Sequence, residues 1–332
     1  MLRASVVVST WNRRELLEQL VEVLANQTML ASEYEVIVCD SSSTDGTEDA
    51  MVASAARYNN VRYVNVALNN PAVKRNAGIR AAKADILILM DDDVIPDKSF
   101  VDTHVKAQEA STGVVYCGQI RYPKSWIEKS NYFRYRDSRH LGTSRPEIAP
   151  SHLPPWMITT MNLSLKRSEI VSQVGYVSEE FMRYGGEDVE FGFRIAASGI
   201  KLIYLPEALV DHYESDGSIR KYYRKLYLAS RDSAPVLYRL APEFLPATKG
   251  SYLERIYAGS SAYTIFLRLV AWICTHPWTV RLVIGCLEQV DRFHFLYLPS
   301  AYRYLTAVAT LAGIRDRSRT SQSSQLKGAW FE

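Results

Sequence analysis

Between Ser5 and Met90 the chain switches regularly between short β-branched runs and longer stretches of helical periodicity, and this alternation constrains the fold more than any other feature. The run SVVVS reads as a first strand, and NRRELLEQLVEVLAN then sets Leu16, Leu20, Val23 and Leu24 on one helical face. Asn12, three residues before Glu15, reads as the start signal of that helix. The pattern repeats as strand EVIVCD, turn SSSTDG, a helix from Thr47 to Arg57, strand VRYVNV, helix AVKRNAGIRAAKA and strand DILILM. Such alternation predicts an α/β fold with a mostly parallel central sheet and helices on both faces. In sheets of this kind ligands bind outside the carboxyl ends of the strands.

Three strands end in residues suited to a ligand: Ser9, Thr10 and Trp11 after the first, Asp40 after the second, and Asp91, Asp92 and Asp93 after DILILM. They are expected to converge. Three adjacent carboxylates beyond an apolar strand suit a hard divalent cation, because Mg2+ and Mn2+ take oxygen ligands and prefer one or two carboxylates plus substrate phosphates. The blander reading is a solvated acidic turn in which Asp92 or Asp93 caps the next element of the chain.

A chain of 332 residues with 47% hydrophobic residues supports a sizeable core, in one large domain or two ordinary ones. Its formal net charge of +3 points to neither a nucleic-acid nor a membrane partner. The four cysteines, Cys39, Cys117, Cys274 and Cys286, form no close pair of the zinc or redox type, so reduced thiols are expected. MLRASVVVST reads as the first strand and lacks the features of a secretory signal, which favours the cytoplasm. The most apolar stretch, YTIFLRLVAWICTHPWTVRLVIGCL, is interrupted by Arg268, His276, Pro277 and Arg281; it is expected to lie on a membrane or in a core before it would cross one.

Beyond Gly113 the periodicity is looser. LGTSRPEIAPSHLPPWM, with Trp156 near its end, reads as an ordered lid or binding loop, or as an ordinary surface connection. In GGEDVEFGFRIAASG, Val189, Phe193 and Ala196 repeat at helical spacing, Glu190 and Arg194 form an i,i+4 pair, and Gly199 stands where a C-terminal cap belongs. Acids at the start of a helix suit its dipole, which explains one of Glu187 and Asp188 but not the pair; the dipole would keep Asp188 ionised, as a general base must be. Gly185 and Gly186 would let a substrate approach the backbone. The strand within IKLIYLPEALVDHYE runs to His212, a structural residue or a metal ligand, and the basic run Arg220, Lys221, Arg224, Lys225 suits either a diphosphate or a solvated helix face.

Together, VVVSTWNRRELLEQLVEVLANQ, VIVCDSSSTDGT, KRNAGIRAAKADILILMDDDVIP and GGEDVEFGFRIAASGIKLIYLPEALVDH resemble an inverting family 2 glycosyltransferase of the GT-A fold, over approximately residues 3 to 230. The resemblance implies a DxD-type site at Asp91–Asp93, with Asp91 and Asp92 on the donor side and Asp93 ligating Mg2+ or Mn2+ together with His212. It implies that Ser9, Trp11 and Asp40 surround the nucleobase and ribose, with Arg75 near the donor. Glu187 would touch the acceptor and Asp188 would be the catalytic base; Trp156, read from its loop and not from the resemblance, is the other acceptor-side candidate.

The implied partners are a nucleoside-diphospho-sugar, taken as UDP-linked, and a glycan or lipid-linked acceptor; nucleic acid is not among them. The expected organisation is a catalytic domain over residues 1–230, split into a nucleotide-sugar half (1–112) and an acceptor half (113–230), a helical region at 231–318 and a flexible tail at 319–332. The chain departs from the family pattern at Asp40, which is followed by three serines where many members continue Asp-Asp-Gly-Ser. QVDRF at Gln289–Phe293 resembles the processive Gln-x-x-Arg-Trp motif weakly and lies far downstream, which implies single addition. A sugar-phosphate nucleotidyltransferase is the first rival, but STWNRRE lacks the glycine of its phosphate loop. A non-catalytic sugar-nucleotide-binding protein is the second. The aromatic segment from about Tyr252 to Arg319 reads as an in-plane membrane element at the inner membrane face, or as a packing or homodimer region.

Overall fold

The computed structural model describes residues 2–140, 152–214, 217–248 and 250–320. Residues 141–151 of the expected lid, and the expected tail beyond residue 320, lie outside the described residues. The chain divides into two compact units: Met1–Pro123, His140–Glu179 and Glu187–Tyr213 form the first, and Lys124–Arg139, Glu180–Gly186 and Glu214–Glu332 form the second.

Among the described residues the first unit carries an eight-stranded sheet, β1 (Ala4–Thr10), β2 (Tyr34–Asp40), β3 (Val61–Asn65), β4 (Ile86–Asp91), β5 (Val94–Pro96), β6 (Val114–Arg121), β7 (Asn162–Lys166) and β8 (Lys201–His212). The strands lie in the order β3-β2-β1-β4-β7-β6-β8-β5. Strands β3, β2, β1 and β4 run parallel, with Ser9 opposite Cys39 on one side and Asp91 on the other, so the polar ends of three strands fall at one edge. The β7 strand is antiparallel to both β4 and β6.

Helices α1 (Arg14–Ala25), α2 (Thr47–Arg57) and α4 (Phe100–Glu109) cover one face, and α3 (Pro71–Ala81) the other. Val6 and Val8 of β1 therefore point into one core and Val7 into the second, as a strand's period of two requires. In α1 the buried stripe is Leu17, Leu20, Val21 and Leu24, so the expected face is corrected by one step: Leu16 and Val23 flank it half-buried. Nor does Asn12 cap the helix. It sits at φ 49°, and its side chain accepts from the Thr44 amide at 2.7 Å, tying the β1 loop to the β2 loop.

The second unit is helical. Its core joins α6 (Asn131–Asp137), α9 (Ile219–Leu228), α14 (Pro277–Val290) and α15 (Pro299–Thr320) through Tyr135, Ile219, Ile284, Leu287, Tyr302 and Leu305, with Tyr135 stacked on Tyr302 at 4.9 Å. The Asn131 amide group donates to the carbonyls of Val290 and Phe293, fixing α6 to the end of α14. On α9, Arg220 pairs with Glu288 and Lys225 with Glu214, so two members of the basic run hold carboxylates of this unit.

Candidate active site

The site is built at the carboxyl ends of β1, β2 and β4. Met90 ends the apolar part of β4 fully buried, and the chain then turns through Asp91, Asp92 and Asp93 into the short β5. Each carboxylate meets a different partner. Asp91 accepts from Arg75 Nη2 at 2.7 Å, Asp92 from the Thr10 hydroxyl at 2.7 Å and from Arg13 Nη1 at 3.2 Å, and Asp93 from Arg13 Nη1 at 2.6 Å. Burial pushes the Asp92 carboxyl up to about 6 against the pull of Arg13. Burial acts on Asp93 in the same direction, but His212 and Arg13 together hold it far below the usual carboxylate range.

Arg75 joins the two acidic motifs. It is buried, and its Nη1 lies 3.4 Å from Glu187 Oε1 while Nη2 holds Asp91. It reaches both because α3 packs directly on β1: a Cβ at Gly78 would lie 2.2 Å from Val7 Cγ1, so only glycine admits this approach. The neighbouring Lys74 is also buried, donating to the Thr10 carbonyl at 2.9 Å and to Asn69, and burial lowers its ammonium to about 8 despite nearby Asp92.

Glu187 and Asp188 open α8 (Glu187–Ala197). Burial, reinforced by the adjacent Asp188, pushes Glu187 up to about 7 against the pull of Arg75. Asp188 is half-buried and accepts a 2.8 Å hydrogen bond from the Thr160 hydroxyl. The preceding Gly185 and Gly186 have φ 86° and 104°, a region open to glycine, and a Cβ on Gly186 would meet the Phe181 ring at 2.6 Å. Backbone geometry thus suffices to explain the glycine pair.

In α8 the buried apolar residues are Phe191 and Ile195, correcting the expected Val189, Phe193 and Ala196 face. The helix carries apolar residues on two sides: Phe191 and Ile195 meet the sheet core, while Phe193 turns to Trp156 at 6.4 Å. The i,i+4 pair holds, with Arg194 Nε 2.5 Å from Glu190, and Gly199 takes φ 81° just past the helix. Trp156 is about one-third exposed, at 37%, on a short turn, Pro155–Met157.

His212 ends β8, where it pairs with Val94, and the Tyr213 amide donates to the Asp93 carbonyl. Its ring stacks on Tyr122 at 5.0 Å, and its Nε2 lies 3.5 Å from Asp93 Oδ2. Asp93 Oδ1 and His212 Nδ1 are buried with no hydrogen-bond partner among the described residues. The 3.5 Å approach is between the other atom of each group, but a carboxylate oxygen and an imidazole nitrogen left without partners on neighbouring side chains are donor types that a divalent cation accepts, its remaining ligands coming from phosphate and water. No group of three His, Cys, Asp or Glu side chains able to hold a metal occurs among the described residues.

Of the expected donor residues, Ser9 and Asp40 are buried and Trp11 half-buried at the ends of β1 and β2. Asp40 is already engaged, accepting from the Ser43 hydroxyl at 2.5 Å and amide at 3.1 Å, and from the Tyr63 hydroxyl at 3.0 Å. Ser42 stands at the glycine position of the Asp-Asp-Gly-Ser pattern and adopts φ 51°. Arg13, Lys74, Tyr122 and Thr160 are the site residues that sequence reasoning did not single out. Arg13 was visible as a cation two residues beyond Trp11, but nothing in its spacing aims it at Asp93.

Residues 5–162 match the family model described as glycosyl transferase family 2. The chain is 30% identical over 222 residues to validoxylamine A glucosyltransferase of Streptomyces hygroscopicus subsp. jinggangensis, covering 60% of this chain and 52% of that protein. It thus spans about half the length of the curated relatives it matches first.

Its fold is similar to that of the mannosyltransferase PcManGT from Pyrobaculum calidifontis, solved in complex with GDP-Man and Mn2+, with a TM-score of 0.54, 17% identity, and coverage of 96% and 88% of the two chains. S. aureus TarS 1-349 in complex with UDP-GlcNAc gives a TM-score of 0.51 at 16% identity, over 98% and 93%. The mostly parallel sheet, with its helices and its acidic strand ends, is therefore the GT-A architecture. Over residues 5–162 this chain is thus similar to glycosyltransferase family 2.

Proposed function

We propose that this protein transfers a sugar from a nucleoside-diphospho-sugar, UDP-linked, to a hydroxyl of a glycan or lipid-linked acceptor, with inversion at the anomeric carbon. The observation that carries this reading is the Arg75 bridge, which brings Asp91 and Glu187, and with them both acidic motifs, to one set of strand ends. Residues 1–112 would hold the donor and 113–230 the acceptor. Ser9, Trp11 and Asp40 would surround the nucleobase and ribose, while Asp91, Asp92 and Arg75 face the donor. Trp156 and Glu187 would contact the acceptor. The reading places the reaction in the cytoplasm.

Asp93 and His212 would hold Mg2+ or Mn2+, which supplies Lewis-acid stabilisation of the charge growing on the leaving diphosphate. Asp188 would accept the proton of the acceptor hydroxyl as its oxygen attacks the anomeric carbon from the side opposite the diphosphate. The new carbon–oxygen bond forms as the old one breaks, and the electron pair leaves with the β-phosphate oxygen. A free Asp, with a pKa of about 3.9, is a weak base toward an alcohol, so proton transfer must accompany attack, when that oxygen has become acidic. Thr160 keeps Asp188 oriented for this step through its 2.8 Å hydrogen bond.

The test is a screen of nucleotide sugars with Mg2+ or Mn2+, scored for nucleoside diphosphate release, with Asp93→Asn as the blank. The expected result is release from one donor class that the variant lacks. Pyrophosphate as the product would indicate nucleotidyl transfer instead, and donor binding without turnover across acceptors would indicate a non-catalytic binder.

A further inference from the structure

The helix α13 (Ala262–Cys274) is turned inside out relative to an ordinary surface helix. Its inward side is small and mixed, with Ala271 buried, while Ile265, Phe266, Leu269, Trp272 and Ile273 are 49–59% exposed on the outer half of the cylinder. Trp278, 60% exposed at the start of α14, extends the same apolar surface, with His276 in edge contact with both Trp272 and Trp278. These side chains of α13 are thus outside the core of this unit, which is built from the other face of α14 and from α15.

We infer that this face lies in the plane of an anionic lipid surface. Charge selects that occupant. From Ile256 to Leu287 the sequence contains no Asp or Glu, and Arg281, three residues beyond Trp278 on α14, and Arg292, just past the end of that helix, are exposed. The acids that flank this stretch in sequence are engaged within the unit, Glu254 with Arg317 at 2.7 Å, Glu288 with Arg220 at 2.8 Å and Asp291 with the Tyr132 amide at 2.7 Å. A second copy docked through the same patch would set cationic rim against cationic rim, whereas anionic headgroups complement it. Trp side chains at the edge of an apolar band suit the headgroup level. Crossing is disfavoured by length: no single described helix is long and apolar enough to span a bilayer, and the one pair that passes together, Ser251–Ala258 and Ala262–Cys274, is bent by 107°.

The test is co-flotation of the full chain with vesicles of phosphatidylglycerol and phosphatidylethanolamine, compared with phosphatidylcholine alone. The variants are Leu269→Glu with Trp272→Glu, and Arg281→Glu; all three positions are exposed, and unchanged thermal midpoints and circular dichroism would show the fold intact. Binding to the anionic vesicles is expected, falling about tenfold or more in the Leu269/Trp272 double variant and weakening in Arg281→Glu. No co-flotation of the parent chain overturns the inference, and a dimer by light scattering would then assign the face to a second copy. Equal binding of parent and folded double variant overturns it as well.

Discussion

Around Asp91–Asp93 every carboxylate has a cation in contact: Arg75 on Asp91, Arg13 on Asp92 and Asp93. Around Glu187 and Asp188 there is one longer contact to the same Arg75, at 3.4 Å, and a hydroxyl from Thr160. The two clusters share one guanidinium yet are neutralised to different degrees. The first cluster is suited to exchanging partners, with incoming positive charge replacing Arg13, while in the second, where the cation is shared and more distant, burial and the adjacent Asp188 raise Glu187 to about 7. This division predicts that the first cluster governs donor binding and the second governs turnover.

Arg75 is where the comparison breaks most easily. Arg75→Met removes the cation common to both clusters and leaves half-buried Asp91 and buried Glu187 without it. A loss of about 3–5 kcal/mol is expected from urea unfolding. Near-parental stability would mean that the two clusters are not coupled through Arg75.

The next effect sharpens the contrast through pH. Glu187 holds its proton up to about 7 in the folded state, against about 4.3 when unfolded. Between those values the native protein binds more protons than the unfolded chain, so stability falls as pH rises across that window. Glu187→Gln should flatten this part of the curve, measured as the urea midpoint against pH, and an unchanged slope would remove Glu187 as its source.

The smallest effect lies away from both clusters, where the chain departs from the family pattern. Ser42 at φ 51° occupies a conformation that favours glycine, so Ser42→Gly should stabilise by up to about 1 kcal/mol, less what the 3.1 Å hydrogen bond to Asn65 contributes. Loss of stability would show that this hydrogen bond outweighs the backbone strain.

The same contrast explains what the sequence disclosed. Strands β1, β2 and β4 are apolar on both faces and the helices between them periodic, so the parallel half of the sheet and its acidic end were legible. The β7 strand was not singled out because its first and central positions, Asn162 and Ser164, are polar and fully buried. They are satisfied by His104 from α4, at 2.9 Å each, which no local pattern reveals. Asp92 had no assigned partner in the sequence for a similar reason: Thr10 and Arg13 reach it from about eighty residues away in the chain. The outward apolar face of α13 was one of two readings the sequence left open, because exposed and core aromatics look alike in a sequence.

The most direct test of the division is to measure donor binding and turnover on the same two variants. Using the nucleoside diphosphate identified by the donor screen, with Mn2+, calorimetric titration of Asp188→Asn should give near-parental affinity while sugar transfer falls by about 10²–10⁴. Asp93→Asn should lose binding and transfer together. The account is contradicted if Asp188→Asn loses binding in step with transfer, or transfers sugar at the parental rate.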